Sequence, residues 1–170
     1  PILEDITGFS SNMVSLVLLA YGVSVAVGNF WGGRLADRKG PVVALKLIFA
    51  LLAAVLLVLT FTAPSKPLML LTVLAWGAVA FGNVPGLQVY VVRLAEEVAP
   101  EATDVATGFN ISAFNLGVAG GSWAGAQVVS HLGLAHTPWV AALVTLGALG
   151  LTVLSGRLDR RAASRQLASV

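Results

Sequence analysis

The 170 residues are 57% hydrophobic and 11% charged, with ten Lys and Arg against eight Asp and Glu for a net charge of +2, and their mean hydropathy of +0.88 lies outside the mix of water-soluble domains. Charges confined to short segments leave no basic groove for nucleic acid and no polar domain for soluble catalysis, so the pI near 9.4 is not a nucleic-acid signal. The lack of Cys excludes a disulfide framework, a thiolate nucleophile and a Cys metal site.

Charge-free runs occupy 6–33, 47–65, 67–92 and 105–156. Crossing about 30 Å of hydrocarbon takes about 20 apolar residues at about 1.5 Å rise each, so each run holds at least one membrane span. The last run is long enough for two. The expectation is an all-α polytopic transmembrane helix bundle with five spans at about 11–33, 42–62, 68–92, 107–130 and 138–155, followed by a tail at 156–170.

In chain order, the first span ends at Arg34, Asp37, Arg38 and Lys39 and the Gly40-Pro41 breaker, which together read as a short loop. The second stops at Pro64, Ser65, Lys66 and Pro67. It carries no Gly, Asn, Gln or Trp, and a helix apolar all round suits a peripheral, lipid-facing position. The third contains Asn83, Pro85, Gly86 and Gln88. Its proline deprives the Phe81 carbonyl of the usual helical donor, so a kink is expected, and amides beside a kink are where transport pathways are lined.

The first, third and fourth spans are rich in glycine, which lets helices approach closely. On the fourth, Gly117, Gly121 and Gly125 form two overlapping GxxxG steps and read as a packing face, in line with Asn110 and about a third of a turn from Asn115. His131 to Pro138 separates this span from the fifth. Those two histidines have no third ligand nearby, so no metal site is expected, and no cofactor or nucleophile–base pair marks an enzyme.

Placing the loop after the first span, the loop after the third and the tail on one side collects Arg34, Arg38, Lys39, Lys46, Arg93, Arg157, Arg160, Arg161 and Arg165 there, against Lys66 on the other. Cationic loops stay cytoplasmic, so the expected C-terminus is inside and the N-terminus outside. An outside N-terminus without a leader suggests an internal piece of a longer polypeptide. Tyr21 and Trp76 join Asn83, Gln88, Asn110 and Asn115 as candidate cavity or substrate residues.

The string from Gly28 to Pro41 resembles the cytoplasmic signature of the major facilitator superfamily, a glycine followed four residues later by Asp-Arg, any residue and Gly. Gly33, Asp37, Arg38 and Gly40 fill those positions, while Pro41 and Val42 stand where the family usually has basic residues. The segment 110–121 is similar to the eleventh span of the twelve-span drug:proton antiporters, in the branch of arabinose or sugar-efflux permeases and chloramphenicol exporters.

The resemblance aligns the five spans with helices eight to twelve. It implies that the eighth, tenth and eleventh lie near a central cavity, that the ninth and twelfth are peripheral, and that the Gly33, Asp37, Arg38 and Gly40 motif takes part in cytoplasmic gating. The implied activity is proton-coupled efflux of a small molecule, of drug or sugar class, across the cell inner membrane. The implied partners are the lipid bilayer, a small-molecule substrate and a missing N-terminal transporter half, with no nucleic acid. The alternative is a non-transporting membrane module that binds or regulates a partner through its glycine-rich helix faces.

Overall fold

The computed structural model describes residues 1–168, with positions 162, 163 and 165–168 given by their backbone alone. Positions 169 and 170 of the expected tail lie outside the described residues. Among the described residues six α-helices follow one another: α1 (Ser11–Lys39), α2 (Pro41–Thr62), α3 (Lys66–Ala80), α4 (Asn83–Val98), α5 (Thr103–His131) and α6 (Thr137–Ala168). Among the described residues there is no strand. The chain is an all-α polytopic helix bundle.

The stretches Ser11–Lys39, Pro41–Thr62, Lys66–Val98 and Leu134–Arg161 are long and apolar enough to cross a membrane. The expected fourth span forms a helix of adequate length, α5, but is not among these stretches. Asp104, Asn110, Asn115, Gln127 and several Ser, Thr and Gly residues lower its hydropathy. Some of its polar side chains bond to the preceding turn: Asn115 donates to the Ile111 carbonyl at 3.0 Å and Ser122 to that of Val118 at 2.8 Å.

Three boundaries move. Helix α1 runs through the charged string to Lys39, so the expected loop shrinks to Gly40, whose φ of 82° suits glycine, and Pro41 then opens α2. The third span breaks at Phe81 and Gly82, where the amides of Gly82 and Val84 reach the carbonyls of Val79 and Phe81, each at 3.2 Å. That is the kink expected from Pro85, eased by tighter i to i−3 bonds. Helix α6 continues past 155 to Ala168, because no proline and only one glycine follow.

The second span, expected to be peripheral and lipid-facing, is covered on one side within this chain. Helix α2 buries Ala44, Leu45, Ile48, Phe49, Ala53, Leu56 and Leu59 and touches α1, α3, α4 and α6. It is the hub of this chain on that side, while Val43, Leu47, Leu51, Leu57, Val58 and Phe61 leave the opposite apolar face exposed, as suits contact with lipid.

The close helix crossing lies between α1 and the broken third span. A Cβ built on Gly28 would collide with the backbone of Ala78, and one built on Gly32 with that of Gly82. Along the same line Gly86 meets Leu45 and Ala36, and Gly77 meets Tyr21 and Ser24. By contrast, nothing lies within 4 Å of a Cβ built on Gly117, Gly121 or Gly125. The expected packing face on α5 therefore has no counterpart among the described residues, and α5 buries no residue.

Because backbone cannot retreat as a flexible side chain can, Gly28→Ala should cost about 1–3 kcal/mol of stability, and Gly121→Ala should stay within about 0.5 kcal/mol. Thermal unfolding of both variants in the same detergent checks this ordering.

Candidate functional site

A chamber of about 600 Å³ opens between the α1, α2, α3 and α6 ends that lie away from Gly40. Its lining includes Leu18 and Tyr21 of α1, Leu56 of α2, Val73 and Trp76 of α3, and Pro138 of α6. Tyr21 and Trp76 form a tilted aromatic pair with ring centroids 5.4 Å apart and planes at 48°. Gly77 lets Tyr21 come close, since a Cβ there would stand 2.9 Å from Tyr21 Cδ2. Ser24 Oγ donates to the Tyr21 carbonyl at 2.9 Å, tying a hydroxyl into the backbone beside the same crossing.

The N-terminal segment roofs the chamber. A π-helical turn at Ile2–Ile6 places Ile2 and Leu3 in its lining and packs Ile6 and Phe9 against the cluster of Val17, Leu59, Ala63, Met69 and Val73. Thr7 fixes it: the hydroxyl, on a residue only 5% exposed, donates to the Ala63 carbonyl at 2.7 Å. Glu4 sits at the rim, where Ser11 Oγ donates to its Oε1 at 3.4 Å. The chamber is otherwise apolar, suited to contact with hydrocarbon or an aromatic ring rather than to hydrogen-bond readout.

Of the candidate cavity residues, Tyr21 and Trp76 are brought together here. Asn83 and Gln88 lie on α4 beyond the break, half-buried and exposed, and Asn110 and Asn115 lie on α5, half-buried and exposed. None of these four amides is in the chamber's lining.

The signature occupies the opposite end. Gly33 faces Pro85, with a built Cβ 3.8 Å from the proline Cβ, while Asp37 and Arg38 are exposed in the last turn of α1. Arg38 and Lys39 there complement the negative end of the helix dipole. Arg34 stacks over the Phe30 ring at 4.2 Å, a cation–π contact along the helix. His131 Nδ1 lies 2.9 Å from the Gln127 carbonyl, and His136 packs edge-on to Trp139 at 6.2 Å.

Sequence reading missed two features. Thr7 is one, since nothing in its local pattern marks the Ala63 carbonyl as its partner 56 residues away. Tyr90, Ser155 and Asp159 meet between α4 and α6: the Tyr90 hydroxyl lies 3.0 Å from Ser155 Oγ and donates to Asp159 Oδ2 at 2.9 Å. The i, i+4 spacing of Ser155 and Asp159 was a legible signal, hidden by ending the fifth span at 155.

A polytopic helix bundle locked by glycine contacts around an apolar chamber defines an integral membrane protein. The Major Facilitator Superfamily model matches residues 1–169, and the chain belongs to that family of membrane transporters. It is 48% identical over 161 residues to the "Uncharacterized MFS-type transporter YtbD" of Bacillus subtilis (strain 168), covering 95% of this chain and 40% of that protein. It is 38% identical over 158 residues to the "Inner membrane transport protein YdhP" of Escherichia coli (strain K12), covering 92% and 39%. It is 34% identical over 151 residues to the "Probable sugar efflux transporter" of Mannheimia succiniciproducens, covering 89% and 36%. The chain thus spans about two fifths of the length of these curated relatives. No solved structure matches significantly.

Thr7→Val keeps the shape and leaves the Ala63 carbonyl without its donor, costing about 1–3 kcal/mol. Hydrogen exchange at amides 2–9 should accelerate in that variant while exchange in α2 stays unchanged; equal acceleration in both would make the tether part of the global core.

Proposed function

We propose that the chain is the C-terminal portion of an exporter of the drug:proton antiporter type, its helices corresponding to the eighth to twelfth of twelve, and that the intact protein moves a small molecule out of the cell by alternating access. The observation that carries the reading is the family match over residues 1–169, with a relative named as a sugar efflux transporter among the similar proteins. In this reading Gly40 and the cationic helix ends are cytoplasmic, the chamber faces outward, and proton coupling drives export.

Tyr21 and Trp76 receive the apolar part of the substrate, since their tilted rings form the aromatic wall of the chamber. The predominantly apolar lining favours a drug-like molecule over a sugar, whose hydroxyls would lose hydrogen bonds to water without replacement. Asn83, Gln88, Asn110 and Asn115 serve a separate, polar part of the pathway along α4 and α5. Gly33, Asp37, Arg38 and Gly40 form the gate region at the cytoplasmic turn.

The test is accumulation of radiolabelled chloramphenicol and arabinose in cells expressing the intact gene product. Chloramphenicol accumulation should fall, and Trp76→Ala should reduce efflux about tenfold or more, equivalent to about 1.4 kcal/mol of lost contact, at unchanged membrane abundance. Equal accumulation of both probes with and without the protein would remove the exporter reading for these classes.

One observation favours a second reading. The open glycine face of α5 suits a membrane module that binds a partner helix. An antibody against 157–170 separates the two: an endogenous species more than twice 17.5 kDa supports the exporter, and one near 17.5 kDa supports the module.

A further inference from the structure

Helix α4 is joined to α3 through a weak point. At Phe81–Gly82 the helical ladder is replaced by two 3.2 Å bonds of the tighter kind, and Pro85 contributes no donor. The direction of α4 is therefore not fixed by continuity with α3. Near the break it is held by packing, with Gly86 buried against Leu45 and Ala36.

One turn further the packing opens. A cavity of about 180 Å³ lies between α2, α4 and α6, walled by Val42, Leu45, Leu87, Leu151 and Thr152. Tyr90 reaches along this cavity to α6, where its hydroxyl donates to Asp159 at 2.9 Å and lies 3.0 Å from Ser155 Oγ. A phenol has one proton, and it goes to the carboxylate, so the Ser155 hydroxyl is the donor to the phenol oxygen. All three residues are half-buried, between the exposed neighbours Arg93 and Arg157.

The two sides of this contact are unequally anchored. Helix α6 packs chiefly on α2, and Gly156 is buried so closely that a Cβ there would stand 2.6 Å from Val42 Cγ1. Helix α4 has the hinge at one end and packs on α1, α2 and α5, and on the side facing α6 it meets the cavity, so that the Tyr90 cluster is its main link to α6. Well-packed protein fixes a helix by interdigitation; α4 is packed in this way on α2, whereas open space lies between α4 and α6, and there a polar cluster centred on one side chain links a hinged element to an anchored one.

We propose that Tyr90, Ser155 and Asp159 form a releasable latch that holds the half-helix α4 against α6, and that opening it lets α4 pivot about Phe81–Gly82 into the space beside α2. Its use within a transport cycle rests on the exporter reading above, whereas the latch itself is a property of the bundle.

These 170 residues have no cysteine, and once any cysteine elsewhere in the intact polypeptide is replaced by serine, spin labels can be placed at chosen positions. In the intact polypeptide in phosphatidylcholine vesicles, labels on Glu97→Cys and Arg161→Cys report the α4–α6 separation by double electron–electron resonance. Labels on Leu47→Cys and Leu154→Cys report the anchored α2–α6 pair. All four positions are exposed. In Tyr90→Phe and Asp159→Asn the α4–α6 pair should gain a second distance population, about tenfold larger than in the parent, the effect expected for losing a hydrogen bond to a charged group. The α2–α6 distance should not change.

Parent-like α4–α6 distributions in both variants would overturn the latch. So would a parallel broadening of both pairs, which would make Tyr90 a general support of the fold. A shifted α4–α6 distance in a protein that exports neither probe would leave the latch standing and remove only the exporter reading.

Discussion

The contact of Gly28 and Gly32 with the backbone of Ala78 and Gly82 sets the geometry on which the other features depend. A helix broken at membrane depth exposes carbonyl groups that hydrocarbon cannot satisfy, so the break must lie against protein. Helix α1 covers it with two glycines one turn apart, placed so that any Cβ would collide with the backbone of Ala78 and Gly82. A side chain at either position would force the helices apart and open the break to lipid.

That register propagates in both directions. Toward the start of α1, it brings Tyr21 and Ser24 against Gly77 and sets Tyr21 beside Trp76, producing the aromatic wall of the chamber. Toward its end, it places Gly33 on Pro85 and Ala36 on Gly86, which aims α4 toward the end of the bundle where Gly40 turns the chain. The chamber and the half-helix are thus consequences of one crossing. Helix α2 supplies the common back wall, giving Leu56 to the chamber and Leu45 to the cavity beside Tyr90.

The composition of the chain made the helix bundle legible, because charge-free runs longer than a bilayer thickness admit few other structures. Pro85 announced the break, and Gly40-Pro41 announced the turn. What could not be read was which surfaces meet. Glycines on the first, third and fourth spans all signal close approach, and the sequence does not say which of them meet: Gly28 and Gly32 do so because a break in another helix lies against them, while Gly117, Gly121 and Gly125 meet nothing among the described residues. The uniform apolarity of α2 does not separate its two sides, one buried on α1, α3, α4 and α6 and the other exposed at Leu47, Val58 and Phe61. Tyr21 and Trp76 were found as aromatics among glycines, whereas Thr7 and the Tyr90–Asp159 contact depend on approaches over 56 and 69 residues of sequence that no local pattern records.

The bundle divides by how firmly its parts are held. Helices α1, α2 and α3 share buried side chains and close glycine crossings, and α6 is seated on α2 through Gly156. Helix α5 buries no residue and leans mainly on α4, with little contact to α6. Whatever orients α4 therefore orients α5 as well, together with Asn83, Gln88, Asn110 and Asn115. In the pivot proposed above the amides move with α4 while the aromatic chamber stays in place, so a ligand touching both would sense the angle at Phe81–Gly82. Differential contact of that kind is what a ligand needs to shift a two-state equilibrium.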